Sequence, residues 1–105
     1  MNNRIMVHFD FPKGTQKQYD GVWDDLKASG YEHPNGLIFH AGAPKQEGGW
    51  FVLDIWESQK AFDDFGKVLM PLIQKHGLDA VPPRIMKPHL TYQNVYQTQR
   101  EGVLS

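Results

Sequence analysis

The sequence predicts one α+β domain built from four strands and two helices. A length of 105 residues leaves room for a single hydrophobic core. Four short segments alternate apolar residues with others, which is the period of a β-strand. Two longer segments place apolar residues at positions i, i+3, i+4 and i+7, which is the period of an amphipathic helix.

The first strand is predicted over residues 4–11, where every second residue is apolar (Ile5, Val7, Phe9 and Phe11). Pro12 and Gly14 end this strand. Thr15 then begins a helix, and Gln18 three residues later completes a capping box. The helix carries one apolar stripe, made of Tyr19, Val22, Trp23 and Leu26.

Two further strands are predicted over residues 37–43 and 50–56, with a hairpin loop over 44–49. Ser58 can cap a second helix that ends at His76-Gly77, and Pro71 predicts a kink or a break within it. Residues 84–94 alternate again and predict the fourth strand. Residues 1–94 therefore form the predicted domain, and residues 95–105 are a C-terminal tail or an arm on a partner subunit.

The order β-α-β-β-α-β predicts a ferredoxin-like fold, an antiparallel sheet with both helices on one face. If water covered the other face, alternate strand positions should be polar, and neither set is. One set is almost wholly apolar: Ile5, Val7, Phe9, Phe11, Leu37, Phe39, Ala41, Phe51, Leu53, Ile55, Met86, Leu90 and Tyr92. The other set is mixed: Met6, His8, Asp10, Ile38, His40, Gly42, Trp50, Val52, Asp54, Trp56, Ile85, Lys87, His89 and Thr91. A second copy of the chain would cover the apolar surface left open, so the sequence predicts a homodimer.

Composition excludes several classes of function. The chain has no cysteine, which rules out disulfides, thiolate nucleophiles and Cys-ligated metal sites. The net charge is −1 with no basic cluster, so neither nucleic acid nor a membrane surface is an expected partner. The glycines lack the spacing of phosphate-binding loops, and no cofactor is predicted. The N-terminus lacks the apolar core of a signal peptide, and a cytoplasmic protein is expected.

The candidate catalytic residues are four polar residues of the mixed set: His8, His40, Asp54 and His89. If the strands pair in the simplest register, all four lie on one side of the sheet, where histidine could move a proton and Asp54 could fix its tautomer. The alternative is structural: the histidines bond backbone groups across the dimer interface, and Asp54 pairs with Lys87 or Arg84. A metal site is not predicted, because no local ligand spacing supports one.

Aromatic side chains are the candidate substrate-binding residues. Trp50 and Trp56 lie on the mixed face and would give flat apolar walls to an aromatic ligand. Trp23 and Phe65 face the sheet from the two helices, where ordinary core packing explains them equally well. The expected ligand is a small hydrophobic or aromatic molecule.

The stretch GWFVLDIWESQKAF, residues 49–62, resembles the dimeric α/β-barrel superfamily. Its antibiotic biosynthesis monooxygenase-like members have a strand that ends in Trp-x-Ser before a helix that begins near Ala-Phe. Residues 36–42 together with Val81-Pro82-Pro83 look like one branch of small bacterial proteins within it. The resemblance covers roughly residues 4–92 and implies the fold and dimerisation.

The resemblance implies three enzymatic alternatives. Cofactor-independent monooxygenases of the superfamily oxidise quinol or anthrone substrates between sheet and helices. Haem-degrading members use a helix Trp where this chain has Phe65, and a first-strand Asn that it lacks. Polyketide-cyclase members use a first-strand His with a helix His, for which His8 and His76 are candidates.

Two classes of function remain open on the sequence. The first is a cofactor-independent oxidoreductase of the monooxygenase, cyclase or isomerase kind, acting on a small aromatic or quinol-type compound. The second is a non-catalytic dimeric protein that binds a small ligand or is associated with stress. An enclosed cavity of about 300 Å³ or more, lined by the named His and Trp residues, would favour the first class.

Overall fold

The computed structural model describes residues 3–79 and 81–92. Its elements are β1 (Ile5–Phe11), α1 (Gln16–Ala28), β2 (Leu37–Pro44), β3 (Trp50–Trp56), α2 (Gln59–Lys75) and β4 (Arg84–Met86). The four strands form one antiparallel sheet in the order β2-β3-β1-β4. The predicted ferredoxin-like α+β fold is therefore confirmed. The predicted tail or arm over residues 95–105 lies outside the described residues.

Both helices begin at the predicted caps. The Thr15 hydroxyl accepts the backbone N–H of Gln18, and the Gln18 side chain accepts the backbone N–H of Thr15, which completes the capping box. At the start of α2 the Ser58 hydroxyl accepts the backbone N–H of Ala61 at 3.1 Å. The helix α2 ends at Lys75 with His76 as its C-cap, and it runs past the exposed Pro71 as a single helix, so the predicted break at Pro71 is not found.

The core lies between the helices and one face of the sheet. Every second residue of β1 and of β3 is buried there, and the helices contribute Val22, Leu26, Phe62, Phe65 and Ile73. Val7, Leu26 and Trp56 are the largest side chains that are fully enclosed. The one charged residue buried among these apolar groups, within the described residues, is Asp54, which is 4% exposed.

The register of β1 and β3 corrects the predicted faces. Val7 lies opposite Asp54, so the apolar residues of β1 share a face with Trp50, Val52, Asp54 and Trp56. The prediction had grouped them with Phe51, Leu53 and Ile55, which instead lie on the face away from the helices. In β3 both alternating sets of residues are largely apolar. Periodicity alone therefore cannot decide which set shares a face with the apolar residues of β1.

A β-bulge sets the orientation of β2. Leu37 pairs with Trp56, but Phe39 pairs with Ile55, so Ile38 is an extra residue in this strand. Beyond the bulge His40 lies opposite Asp54. Without the bulge the same count of residues would place His40 opposite Leu53, on the other face of the sheet. The bulge therefore brings an imidazole to the buried carboxylate.

The fourth strand is shorter than predicted. It covers three residues rather than residues 84–94, and residues 87–92 form no regular strand. Pro88 explains the early end, because proline cannot donate a ladder hydrogen bond. Among the described residues no helix is long and apolar enough to cross a membrane.

Candidate functional site

Three polar side chains form a hydrogen-bonded chain at the centre of the helix-covered face. The Nδ1 atom of His40 lies 2.6 Å from Oδ1 of Asp54, and its Nε2 atom contacts the hydroxyl of Tyr19. The three residues come from β2, β3 and α1. The fold thus joins side chains that lie far apart in the sequence.

The hydrogen bonds assign a role to each atom of this chain. A carboxylate only accepts, so His40 donates its Nδ1–H to Asp54. Nε2 is then the basic nitrogen, and the Tyr19 hydroxyl donates to it. The arrangement can carry a proton from the tyrosine oxygen toward the histidine, with the carboxylate stabilising the imidazolium that forms.

Asp54 has a second partner, which fixes its orientation. The indole Nε1–H of Trp56 donates to Oδ2 at 3.2 Å, so both carboxylate oxygens are engaged. Burial of a carboxylate is costly unless it is hydrogen-bonded, and these two donors meet that requirement. The predicted alternative, a pair with Lys87 or Arg84, is wrong: the partners of Asp54 are His40 and Trp56.

The tyrosine is held in a tight slot above β2. A Cβ atom at Gly42 would lie 2.7 Å from Cζ and from the hydroxyl oxygen of Tyr19, so only glycine admits the ring. The ring also packs on Trp50 at a centroid distance of 5.0 Å. Burial, together with the negative charge of Asp54, raises the pKa of Tyr19 from 10.0 to about 12. Tyr19 is thus a protonated donor at neutral pH.

A cavity of about 40 Å³ adjoins these groups. Its wall is otherwise apolar and comprises Phe9, Phe11, Val22, Trp23, Leu37, Val52, Phe65, Leu69, Ile73 and Leu78 beside Tyr19, His40 and Asp54. The space can hold water, since one water needs about 10–15 Å³ by this measure. It is far smaller than the ~300 Å³ at which small-molecule sites begin.

The structure brings some of the predicted catalytic residues together and separates others. His40 and Asp54 are in contact on the helix-covered face, where the carboxylate can fix the tautomer of the imidazole. His8 lies on the opposite face of the sheet, beside Phe51, and its buried Nδ1 atom has no partner among the described residues. His89 is exposed and lies beyond β4. The prediction that all four residues lie on one side is wrong for His8 because β1 pairs in the other register.

The four predicted aromatic residues also divide. Trp23 and Phe65 line the cavity, and Trp23 contacts the His40 ring edge-on at 4.8 Å. Trp50 and Trp56 do not line the cavity. Trp50 packs against the ring of Tyr19, and Trp56 donates a hydrogen bond to Asp54. Tyr19 was not among the predicted site residues. The signal for it was a tyrosine on a buried helix stripe, where a hydroxyl must find a hydrogen-bond partner.

Replacing Gly42 by alanine tests the placement of Tyr19 without changing any polar atom. The added methyl group should push the ring from its slot and break its bond to His40. We expect the pKa of Tyr19 to fall from about 12 toward 10.0, because the ring becomes hydrated. Absorbance titration of the phenolate measures this shift, and Gly66→Ala, where a Cβ meets nothing within 4 Å, is the control. An unchanged tyrosine titration in Gly42→Ala would contradict the assigned packing.

No family model matches the chain, and no curated protein sequence does. Solved structures of similar fold are found. A cofactor-independent oxygenase from Streptomyces nogalater, SnoaB, is 12% identical with a TM-score of 0.62 over 90% of this chain and 100% of its own. A Caulobacter crescentus CB15 protein, provisionally named an antibiotic biosynthesis monooxygenase, is 16% identical with a TM-score of 0.61 over 83% of this chain and 91% of its own.

A third similar structure contains a bound ligand. It is the monooxygenase from the gene ActVA-Orf6 of Streptomyces coelicolor in complex with nanaomycin D. Identity is 16% and the TM-score 0.56, over 89% of this chain and 93% of that one. These likenesses define the class by fold: this chain has the α+β fold of the antibiotic biosynthesis monooxygenase-like proteins. At the level of the fold, the predicted resemblance to antibiotic biosynthesis monooxygenase-like proteins is confirmed.

Proposed function

We propose that the protein is a cofactor-independent monooxygenase that acts on a small aromatic or quinol-type compound. The observation that supports this most is the chain Tyr19–His40–Asp54 at the edge of an otherwise apolar cavity. A substrate with an acidic hydroxyl or carbon needs one proton acceptor in a dry, apolar place. The fold shared with a cofactor-independent oxygenase and with a monooxygenase points in the same direction.

The proton would leave the substrate through Tyr19. Because the Tyr19 hydroxyl donates to His40, its oxygen is free to accept a hydrogen bond from a substrate hydroxyl. Transfer of the substrate proton to this oxygen, and of the tyrosine proton to Nε2 of His40, leaves a substrate anion and an imidazolium. Asp54 stabilises the imidazolium, and its own orientation is fixed by Trp56.

The anion would then react with dioxygen by itself. For an anthrone-type carbon, the carbanion adds O₂ to give a peroxide anion, which takes the proton back from His40. Loss of water from the resulting hydroperoxide leaves a carbonyl. The balance is CH₂ + O₂ → C=O + H₂O, in which the substrate carbon is oxidised and both oxygen atoms are reduced. In this scheme the side chains move protons, and the substrate supplies the electrons.

Oxygen uptake with the anthrone dithranol (1,8-dihydroxy-9-anthrone) as substrate tests the proposal. We expect the wild-type protein to accelerate uptake above the spontaneous rate and to yield the quinone. His40→Ala should lower kcat by about 10²-fold or more, because it removes the proton acceptor. His33→Ala, which changes an exposed loop histidine, is the matched control. Equal rates for wild type and His40→Ala would rule the proposed mechanism out.

A non-catalytic small-ligand-binding or stress-associated protein is the second candidate. The small cavity weighs against an aromatic substrate beside His40, since 40 Å³ holds no aromatic ring without movement of a side chain. The assay above separates the two candidates: binding of dithranol with no acceleration of oxygen uptake would support the binding protein. A cyclase or isomerase would instead change a polyketide-like compound without consuming oxygen.

We also propose that the working form is a homodimer joined through the sheet face that the helices leave open. This face carries six large apolar side chains: Met6, Phe39, Phe51, Leu53, Ile55 and Met86. Phe39 and Met86 are 46% and 43% exposed. A largely apolar surface of this kind on a central sheet favours a self-complementary partner over water.

A further inference from the structure

Phe65 separates two spaces in the molecule. On its inner side is the cavity beside His40, and on its outer side is a surface groove of about 220 Å³. The groove is lined by Tyr31, Asn35, Ala61, Asp64 and Val68 in addition to Phe65. Phe65 is the one residue of the described chain that lines both spaces.

The Phe65 side chain borders free space on two sides. A core aromatic ring normally has neighbours on all sides, and each missing neighbour costs it dispersion energy. Phe65 contacts Trp56 at a ring distance of 5.2 Å, but empty space borders it toward both the cavity and the groove. A turn of its side chain therefore has free space to enter on either side.

We infer that Phe65 is a gate, and that the substrate site comprises the inner cavity together with the outer groove. This rests on the proposed function, because it names where the ring system of that substrate lies. The inner cavity receives the ring that carries the acidic group, near Tyr19. The groove receives the distal part of the same molecule. With the gate open, the joined space approaches the lower end of the range of about 300–1,000 Å³ that small-molecule sites occupy.

The groove also narrows the class of substrate. Tyr31 offers a half-exposed aromatic ring for stacking, and Asn35 offers an amide for a hydroxyl or carbonyl group. The Asp64 carboxylate also borders the groove, but Lys60 and Lys67 pair with it and balance its charge. The preferred substrate is thus a fused aromatic system with a hydroxyl or carbonyl substituent on the distal ring.

Anaerobic binding of dithranol, followed by quenching of tryptophan fluorescence, tests the gate without turnover. If only a minor fraction of the wild-type protein has the gate open, the apparent affinity of the protein for dithranol is reduced in proportion to that fraction. Phe65→Ala should therefore bind dithranol about tenfold or more tightly. Phe65→Leu keeps more of the core volume and should bind dithranol with an intermediate affinity.

Phe62→Ala is the matched control for these variants. Phe62 is buried to the same degree on the same helix and contacts Trp56, but it lines neither space. A general loosening of the core would raise dithranol affinity in Phe62→Ala and Phe65→Ala alike, which would overturn the gate. Equal affinity of wild type and Phe65→Ala would also overturn it, while His40-dependent oxygen uptake by the same wild-type protein would leave the proposed function standing.

Discussion

Asp54→Asn should lower kcat with dithranol by about 10²–10⁴-fold, since a catalytic imidazole loses about this much when its orienting carboxylate becomes an amide. Asp54 accepts from both His40 and Trp56. An asparagine has one acceptor oxygen, so it can serve only one of these donors. If it serves Trp56, its amide group faces Nδ1 of His40 and drives the proton to Nε2, the atom that must accept.

The same substitution should have a small but measurable effect on stability. One buried donor is left without a partner, which costs about 1–3 kcal/mol. Chemical denaturation measures this loss of stability separately from the loss of kcat. A folded Asp54→Asn protein with wild-type kcat would contradict the proposed relay. Asp10→Asn is the control: Asp10 pairs with Lys45 on the other face of the sheet, and we expect its kcat to match the wild type.

Leu53→Asp should convert the proposed dimer to monomers, with a rise in the dimer dissociation constant of about 10³-fold or more. Leu53 lies on the central strand β3, on the open face of the sheet. Burial of a leucine side chain contributes about 1.5–3 kcal/mol, and twofold symmetry makes each substitution count twice. A carboxylate without a partner in that interface adds a further penalty.

Sedimentation equilibrium measures this change as a mass. We expect wild type at twice the chain mass of 12.1 kDa and Leu53→Asp at the chain mass itself. Gln46→Asp, which adds the same charge to an exposed hairpin loop, should remain dimeric. A wild-type protein that sediments at 12.1 kDa at every concentration would show that the open face has another role.

The elements of the fold could be predicted from local patterns because each one is specified locally. Thr15 with Gln18 begins α1, Ser58 begins α2, and period-two alternation marks β1 and β3. One error has a local cause as well: Pro88 ends β4 earlier than the alternation suggests. Of the kink or break expected at Pro71, the break is not found.

The candidate site was only half predictable. His40 and Asp54 are conspicuous polar residues in apolar strands, and the sequence alone marks them as candidates. Their contact was not decided by the sequence pattern, because it depends on the extra residue at Ile38 that turns His40 to the helix-covered face. Because both alternating sets of residues in these strands are largely apolar, a bulge of one residue hardly changes the sequence pattern.

The sequence by itself determined the α+β class, the order of the elements and the identity of the central carboxylate. The tertiary structure decided the rest. It places His8 on the far face of the sheet, adds Tyr19 to the hydrogen-bonded chain with His40, and puts Phe65 between the inner cavity and the outer groove. The physical reason is the range of the interactions. Caps and periodicity act within a few residues, whereas strand register, and with it the face that each side chain occupies, is set by packing between segments far apart in the chain.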